Sequence, residues 1–171
     1  MLAMHEQAFK VHQIRIPTGL RVGPVNVHLI AADTVLHDIT PNPILSPDPL
    51  DPTRRFPSLG EYLVSLAKIR GLSPTLVKGG HGPDVTDFEE YFTRIVRFTD
   101  ERQRKLLGLL ARSGSTAWDA CLALFPKIKG DGRFLALSET IAHLDFGVME
   151  GRMAMDWSVG AEVFRALKSP V

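Results

Sequence analysis

Six prolines stand between Pro41 and Pro57, at positions 41, 43, 47, 49, 52 and 57, and they split the 171-residue chain into two stretches of different periodicity. Proline fixes φ and has no N–H to donate, so a run this dense cannot be the interior of a helix or a central strand. The segment predicts an extended crossover or surface loop. Before it, polar and apolar residues alternate. Lys10 to Ile16, ending at Pro17, and Val25 to Ala32 read as two strands, joined through Gly19, Gly23 and Pro24. Thr34 to Ile39 reads as a third strand, stopped by Thr40-Pro41-Asn42-Pro43.

Beyond the prolines, helical spacing takes over. Ser58 with Glu61 three residues later forms a capping box, Leu59, Tyr62, Leu63, Leu66 and Ile69 share one face, and Gly71 ends the helix. A short strand from Thr75 to Lys78 follows. Asp87 and Glu90 start a second helix, on which Phe88, Tyr91, Phe92, Ile95, Phe98, Leu106 and Leu110 share one half of the wheel, so it runs to about Arg112 with a kink near Thr99. Ser113-Gly114-Ser115 breaks it. A short helix from Thr116 to Phe125, a loop from Lys127 to Arg133, a helix from Phe134 to Glu150, an alternating strand from Arg152 to Trp157 and a last helical turn from Ala161 to Leu167 complete the chain. Three helices, a strand and a glycine-containing turn from about Asp100 onward fit a winged-helix or helix-turn-helix unit, and equally a plain helical cap on a sheet. Its expected core draws on Phe88, Phe92, Ile95, Leu106, Leu110, Trp118, Leu122, Phe125, Phe134, Leu137 and Ile141.

The chemistry-bearing residues are few. Cys121 is the one cysteine, which excludes an internal disulfide and a cysteine metal site and fits a reducing, cytoplasmic setting with a buried core thiol. No run approaches the roughly 18 apolar residues of a membrane span, and no secretory-type segment opens the chain. Twenty basic against 19 acidic residues leave a net charge of +1, so attraction to nucleic acid would need a local patch. Arg94, Arg97, Arg104, Lys105 and Arg112 supply one, within about a 100° arc of the long helix; Glu90 and Glu101 dilute it, and a solvated helix face is the plainer reading of the same residues. His81 sits in Gly79-Gly80-His81-Gly82, where glycines allow a tight loop that presents an imidazole to a ligand or as a base; a turn with a surface histidine is the plainer reading.

Five motifs in order carry a more specific signal: Asp33-Thr34-Val35-Leu36-His37-Asp38-Ile39-Thr40-Pro41-Asn42-Pro43; Tyr62-Leu63-Val64-Ser65-Leu66; Gly80-His81-Gly82; Arg102-Gln103-Arg104 followed by Leu124-Phe125-Pro126; and His143-Leu144-Asp145. Together they resemble the C-terminal half of a metallo-β-lactamase-fold hydrolase, in the branch with an appended winged-helix domain that includes single-strand endoribonucleases and thioesterases. Pro24-Val25-Asn26-Val27 resembles the family's first strands. The resemblance implies an α+β chain, of the α/β type: an incomplete αββα sandwich over residues 1–83, then a helical linker and winged-helix-like domain over 84–171. It implies a metal-activated water, zinc as the family's metal, and an ester, thioester or RNA substrate. Asp33 matches the bridging metal aspartate and His81 the last metal histidine, with Asp38 a competing match for an early strand-end aspartate.

One departure is large. The family's H-x-H-x-D-H motif is absent, and no H-x-H occurs anywhere in the chain. A catalytic zinc usually needs three protein ligands and an open position, whereas Asp33 and His81 supply two. His12, His28 and His37 read as strand residues, His5 as part of a terminus, and His143 as a packed helix residue. Three readings follow: a hydrolase impaired or inactive in this form with weak or absent zinc; a module binding single-stranded nucleic acid or a partner protein; and a gene remnant or a chain lacking an omitted segment. Unpaired sheet edges would favour self-association.

Overall fold

The alternating and helical stretches on either side of the prolines become two units interleaved along the sequence. The structure, a computed structural model, describes residues 29–30, 34–110, 114–158 and 160–167. One unit takes the chain up to Pro41 together with Ser65–Arg94, and the other takes Asn42–Val64 with Ile95 onward. The expected strand from Lys10 to Ile16, and the second apart from its Leu29–Ile30 portion, lie outside the described residues.

In the first unit, β1 (Leu29–Ile30) pairs in parallel with β2 (Val77–Lys78), Leu29 opposite Val77 and Ile30 opposite Lys78. Helix α1 (Ser58–Gly71) ends in this unit, and α2 (Phe88–Leu109) begins in it. The start of α2 follows from its sequence: the Asp87 carboxylate accepts from the Glu90 N–H at 2.9 Å, satisfying one of the orphan donors of the first turn. Arg70 ties the two helices, donating Nε to both carboxylate oxygens of Glu89 at 2.8 and 2.9 Å while its guanidinium stacks on Phe92. Leu66, Ile69, Val77, Val85, Phe88 and Tyr91 are the buried apolar side chains here, with Val35 and Leu36. Thr34 to Ile39 corrects a sequence expectation. It is not a strand but a short turn and bend in which Val35 and Leu36 go inward. Two consecutive buried residues break strand alternation, and the Leu36 N–H finds the Tyr91 hydroxyl, at 3.4 Å, instead of a ladder partner.

The second unit runs helix, strand, helix, helix, strand, strand. After the Ile95–Leu109 part of α2 come β3 (Ser115–Thr116), α3 (Ala117–Leu124), α4 (Gly132–Met149), β4 (Met153–Ser158) and β5 (Ala161–Ala166). The three strands form an antiparallel sheet in the order β3-β5-β4. Two elements differ from expectation. Ser115, expected as part of a break, and Thr116, expected as the start of a helix, form a short strand, whose Thr116 also caps α3 through a reciprocal pair with Asp119. Ala161–Leu167, expected as a helical turn, is strand β5 up to Ala166. Its Val163-Phe164 pair suits a pleated surface, Phe164 is fully buried, and Gly160 at φ +75 supplies the tight turn that sends β4 back as β5.

Leu106, Leu110, Ala120, Leu144, Met153 and Phe164 form the core of this unit. Expected core residues Trp118 and Leu122 are exposed instead, because α3 turns its small Ala120-Cys121 side inward, where α4 packs close, and Phe134, in the first turn of α4, is exposed as well. The prolines form a folded-back loop. Pro47 and Arg55 bridge its limbs, Phe56 N–H donates to Ser46 O and Asp48 N–H to Arg54 O, each at 2.9 Å, and Asp51 accepts from the Thr53 N–H and hydroxyl at its tip.

Helix α4 is contacted on two opposite faces and buried on both only in its middle. At 100° per residue, Ala136, Thr140, His143, Leu144 and Gly147 share one face and Leu135, Ser138, Ala142, Asp145 and Met149 the other. The first belongs to the core side. Along the second lies the proline segment: Asn42 Nδ2 donates to Leu135 O at 3.2 Å, the Ser138 hydroxyl donates to Pro43 O at 2.6 Å and accepts from Leu45 N–H at 3.0 Å, and Phe146 and Met149 lie against Gly60.

Candidate functional site

Three features pinch the loop that carries His81. Val77 and Val85 exchange both backbone hydrogen bonds at 2.9 Å, closing its base, and Lys78 Nζ reaches Asp84 Oδ2 at 2.8 Å just above them. Both valines are buried, so the base is anchored while the residues between stand in solvent. Gly79 passes so close to the Val35 carbonyl oxygen that a Cβ would collide with it, and Gly82 adopts φ +80. The glycines flanking His81 therefore do different work: one permits a close backbone approach, the other a left-handed turn. His81 itself is exposed and makes an interaction of its own within the structure.

The parallel register fixes where this loop emerges. Because β1 and β2 run the same way, their carboxyl ends, Ile30 and Lys78, lie at the same end of the two-stranded sheet. His81 follows Lys78 by three positions, and Asp33 follows Ile30 by three, though Asp33 lies outside the described residues. Of the other histidines, His5, His12 and His28 also lie outside them, and His37 is exposed, its Nδ1 2.5 Å from Asp38 Oδ1. Among the described residues, no group of three or more His, Cys, Asp or Glu side chains is placed to hold a metal ion. The donors described thus do not fit a catalytic zinc, which takes three protein ligands.

The basic stripe is spread among local partners. Arg94 donates to the His37 carbonyl oxygen and lies over Tyr91 in the first unit. In the second, Arg97 pairs with Glu101 at 3.0 Å and Arg104 with Asp100 at 3.1 Å, both one helical turn apart. Lys105 is exposed, and Arg112 lies outside the described residues.

Sequence reading missed the most highly connected charged group. Arg55, inside the proline segment, donates Nε and Nη2 to the two oxygens of Asp145 at 2.8 and 2.7 Å and Nη1 to Glu162 at 2.8 Å. The Asp145 hydrogen bonds, then Glu162, raise the guanidinium's already high pKa against the opposing effect of burial. The signal available was the mate: Asp145 stood out in His143-Leu144-Asp145, but nothing in the spacing pointed back 90 residues to Arg55. A cavity of about 780 Å³ opens beside this triad, between the proline loop, α4 and the hairpin.

His143 serves packing. It is 2% exposed, and burial first, with Arg102 adding to it, pushes its imidazole down to about 3, so it is neutral at pH 7. The Gln103 side-chain amide donates to the His143 carbonyl oxygen at 2.6 Å. Arg102 lies between the rings of Phe98 and Phe125 and 2.9 Å from Glu139, close enough for an ion pair but without hydrogen-bond alignment at that oxygen. The motif Arg102-Gln103 with Phe125 and His143 is thus one packed polar seam in the second unit.

The chain is 30% identical over 142 residues to the probable metallo-hydrolase YqjP of Bacillus subtilis (strain 168), a match covering 82% of this chain and 44% of that protein. It is similar to the crystal structure of metallo-beta-lactamase family protein TTHA1429 from Thermus thermophilus, at TM-score 0.65 and 26% identity over 82% of this chain and 42% of that one. The likeness is thus to a metallo-hydrolase in sequence and to a metallo-β-lactamase family protein in structure. A beta-lactamase domain protein from Burkholderia ambifaria, at TM-score 0.68 and 24% identity, shares the fold over 82% of this chain and 41% of its own. No family model matches. The chain spans less than half the length of each of these relatives, and its mixed helix and sheet architecture is that of metallo-β-lactamase-fold neighbours. Among the described residues, no helix is long and apolar enough to cross a membrane.

Proposed function

We propose that this chain is a cytoplasmic, zinc-type hydrolase of the metallo-β-lactamase superfamily, cleaving an ester, thioester or phosphodiester through a metal-activated water, and that this form is impaired or inactive. The observation that carries the reading is the parallel β1–β2 register: it sends the His81 loop out of the carboxyl end of the strands, where open sheets bind ligands, and Asp33 has the matching position in sequence. Impairment follows from the absent H-x-H-x-D-H motif, since two ligands neither hold a zinc firmly nor bring its water's pKa to about 7. Equilibrium dialysis should find well under one equivalent of zinc, and p-nitrophenyl acetate, a thioester and bis-p-nitrophenyl phosphate should turn over at background rates. Stoichiometric zinc at submicromolar affinity would overturn the impairment. Reading the coding sequence between the codons for Ala31 and Val35 tests the family reading itself, because an intervening segment encoding H-x-H-x-D-H restores the enzyme.

A second reading is favoured by the element order of the second unit. Helix, strand, helix, helix and a hairpin whose last strand pairs with the first is the order of a winged helix, which would make residues 84–171 a module for single-stranded nucleic acid or a partner protein. The strand β4 at the sheet edge offers a route to self-association. Replacing Arg97 and Arg104 by Gln should lower the slope of log affinity against log salt by about 1.4 if both contact phosphates of a single strand. An unchanged slope removes the stripe from this reading.

A further inference from the structure

The cavity in the second unit is lined by residues that the hydrolase reading does not use. Its volume of about 780 Å³ falls in the range of small-molecule sites, roughly 300 to 1,000 Å³. Pro47, Pro52, Pro57, Val148, Met149 and Met155 give it apolar walls, and the two methionines, unbranched and mobile at the sulfur, can adapt to a ligand's outline.

The charges on its wall choose the ligand. Asp48, Asp145 and Glu162 face Arg54 and Arg55, three carboxylates against two guanidinium groups. Arg55 already donates from all three of its nitrogens and is flanked by two carboxylates, and with Asp48 the wall carries three carboxylates against two guanidinium groups, so an incoming anion meets no net positive field. For a cation the balance is reversed. Asp145 and Glu162 share one positive charge, each side chain stays about a quarter exposed, and a carboxylate offers about four acceptor positions, of which Arg55 fills only some. We infer that this cavity binds a small organic cation, its apolar body against the proline and methionine walls and one protonated amine against the Asp145–Glu162 pair. Such a ligand would lie between the proline loop and α4 and lock them together, and its binding is independent of any metal at the His81 loop.

Three probes with one phenethyl body and different heads separate the contributions: phenethylammonium, 2-phenylethanol and phenylacetate, titrated into the full chain at low salt with saturation-transfer NMR and calorimetry. Phenethylammonium should bind at least 10-fold more tightly than the alcohol, with phenylacetate weakest. Glu162→Gln keeps an acceptor for Arg55 yet removes the charge, and should weaken the ammonium 3- to 10-fold while leaving the alcohol unchanged. Should that variant fold poorly by thermal melt, Met155→Trp, at a partly exposed position, fills the cavity and should weaken ammonium and alcohol alike. Phenylacetate binding as tightly as the ammonium, no ammonium binding up to millimolar concentration, or indifference to both substitutions would overturn the assignment.

Discussion

Two histidines, His81 and His143, occupy opposite kinds of environment, and the contrast separates a presented side chain from a packed one. His81 tops a loop whose base is held by Val77, Val85 and the Lys78–Asp84 pair, and its immediate neighbours in sequence are exposed. His143 sits mid-helix, covered by core residues on one side of α4 while the proline segment occupies the other, and burial keeps it uncharged. A ligand-binding histidine must be reachable, and the cost of that reach is the packing that His143 enjoys. The unit that holds α4 therefore carries stability, whereas the His81 loop is a place where residues can change at little structural cost.

The largest effects should come from the α4 side. Leu144→Ala, at a fully buried position in the core of the second unit, should cost about 2 to 5 kcal/mol in a denaturant titration. A loss under 1 kcal/mol would break the claim that α4 is central. Arg55→Ala leaves Asp145 and Glu162 unpaired in partly buried positions and should cost about 2 kcal/mol, with Arg55→Lys recovering only part because a lysine cannot make the fork. Gly147→Ala places a methyl 2.7 Å from Met153 Sδ and 3.0 Å from Gln103 Oε1, for about 1 to 3 kcal/mol.

Acid should act through His143. Its folded pKa is depressed, so the stability it contributes is complete above its ordinary value of 6.5 and is lost as pH falls from there toward about 3, by up to about 1.4 kcal/mol per pH unit for this one proton. Glu139 acts in the other sense: burial raises its carboxyl, so its effect on stability grows as pH falls toward 4.5 and blunts part of the loss. Thermal melts between pH 7 and pH 4 should show the decline, and His143→Gln should flatten it; identical profiles for the two proteins would sharpen the contrast in the wrong direction. The smallest effect belongs to the loop. His81→Ala should change stability by less than about 0.5 kcal/mol, and a larger loss would mean that the loop is held together through its imidazole.

Much of this was legible in the sequence, for reasons that differ by element. The strong apolar stripe of α2, the capping residues Asp87 and Thr116 and the alternation of β4 are local signals, and the helices start and end close to where they were expected. Helix α4 was found as a helix, but its two contacted faces were not, since apolar residues scattered around the wheel do not say which of them is buried or by what. The proline segment was rightly denied regular structure, yet its role in covering α4 depends on Asn42, Pro43, Leu45 and Arg55 meeting residues some 90 positions later. At the candidate site, the glycines around His81 announced a tight loop. The close pass of Gly79 by Val35 could not be read, because Thr34 to Ile39 looked like a strand. Ala161 to Ala166 misled through the helix preference of its Ala and Glu, which strand pairing overrides.

Cys121 turns the interior of the second unit into something that can be timed. It is the chain's one thiol, fully buried on α3, and burial raises its pKa, so an alkylating reagent cannot reach it or find it ionised while α3 and α4 stay packed. Its modification rate is then the reagent's rate with an open thiol multiplied by the fraction of time the helices spend apart, as long as reclosing outpaces the reagent. A single mass increment, followed over hours in undenatured protein, reads the free energy of that opening without a dye, a label or a second cysteine to confuse it.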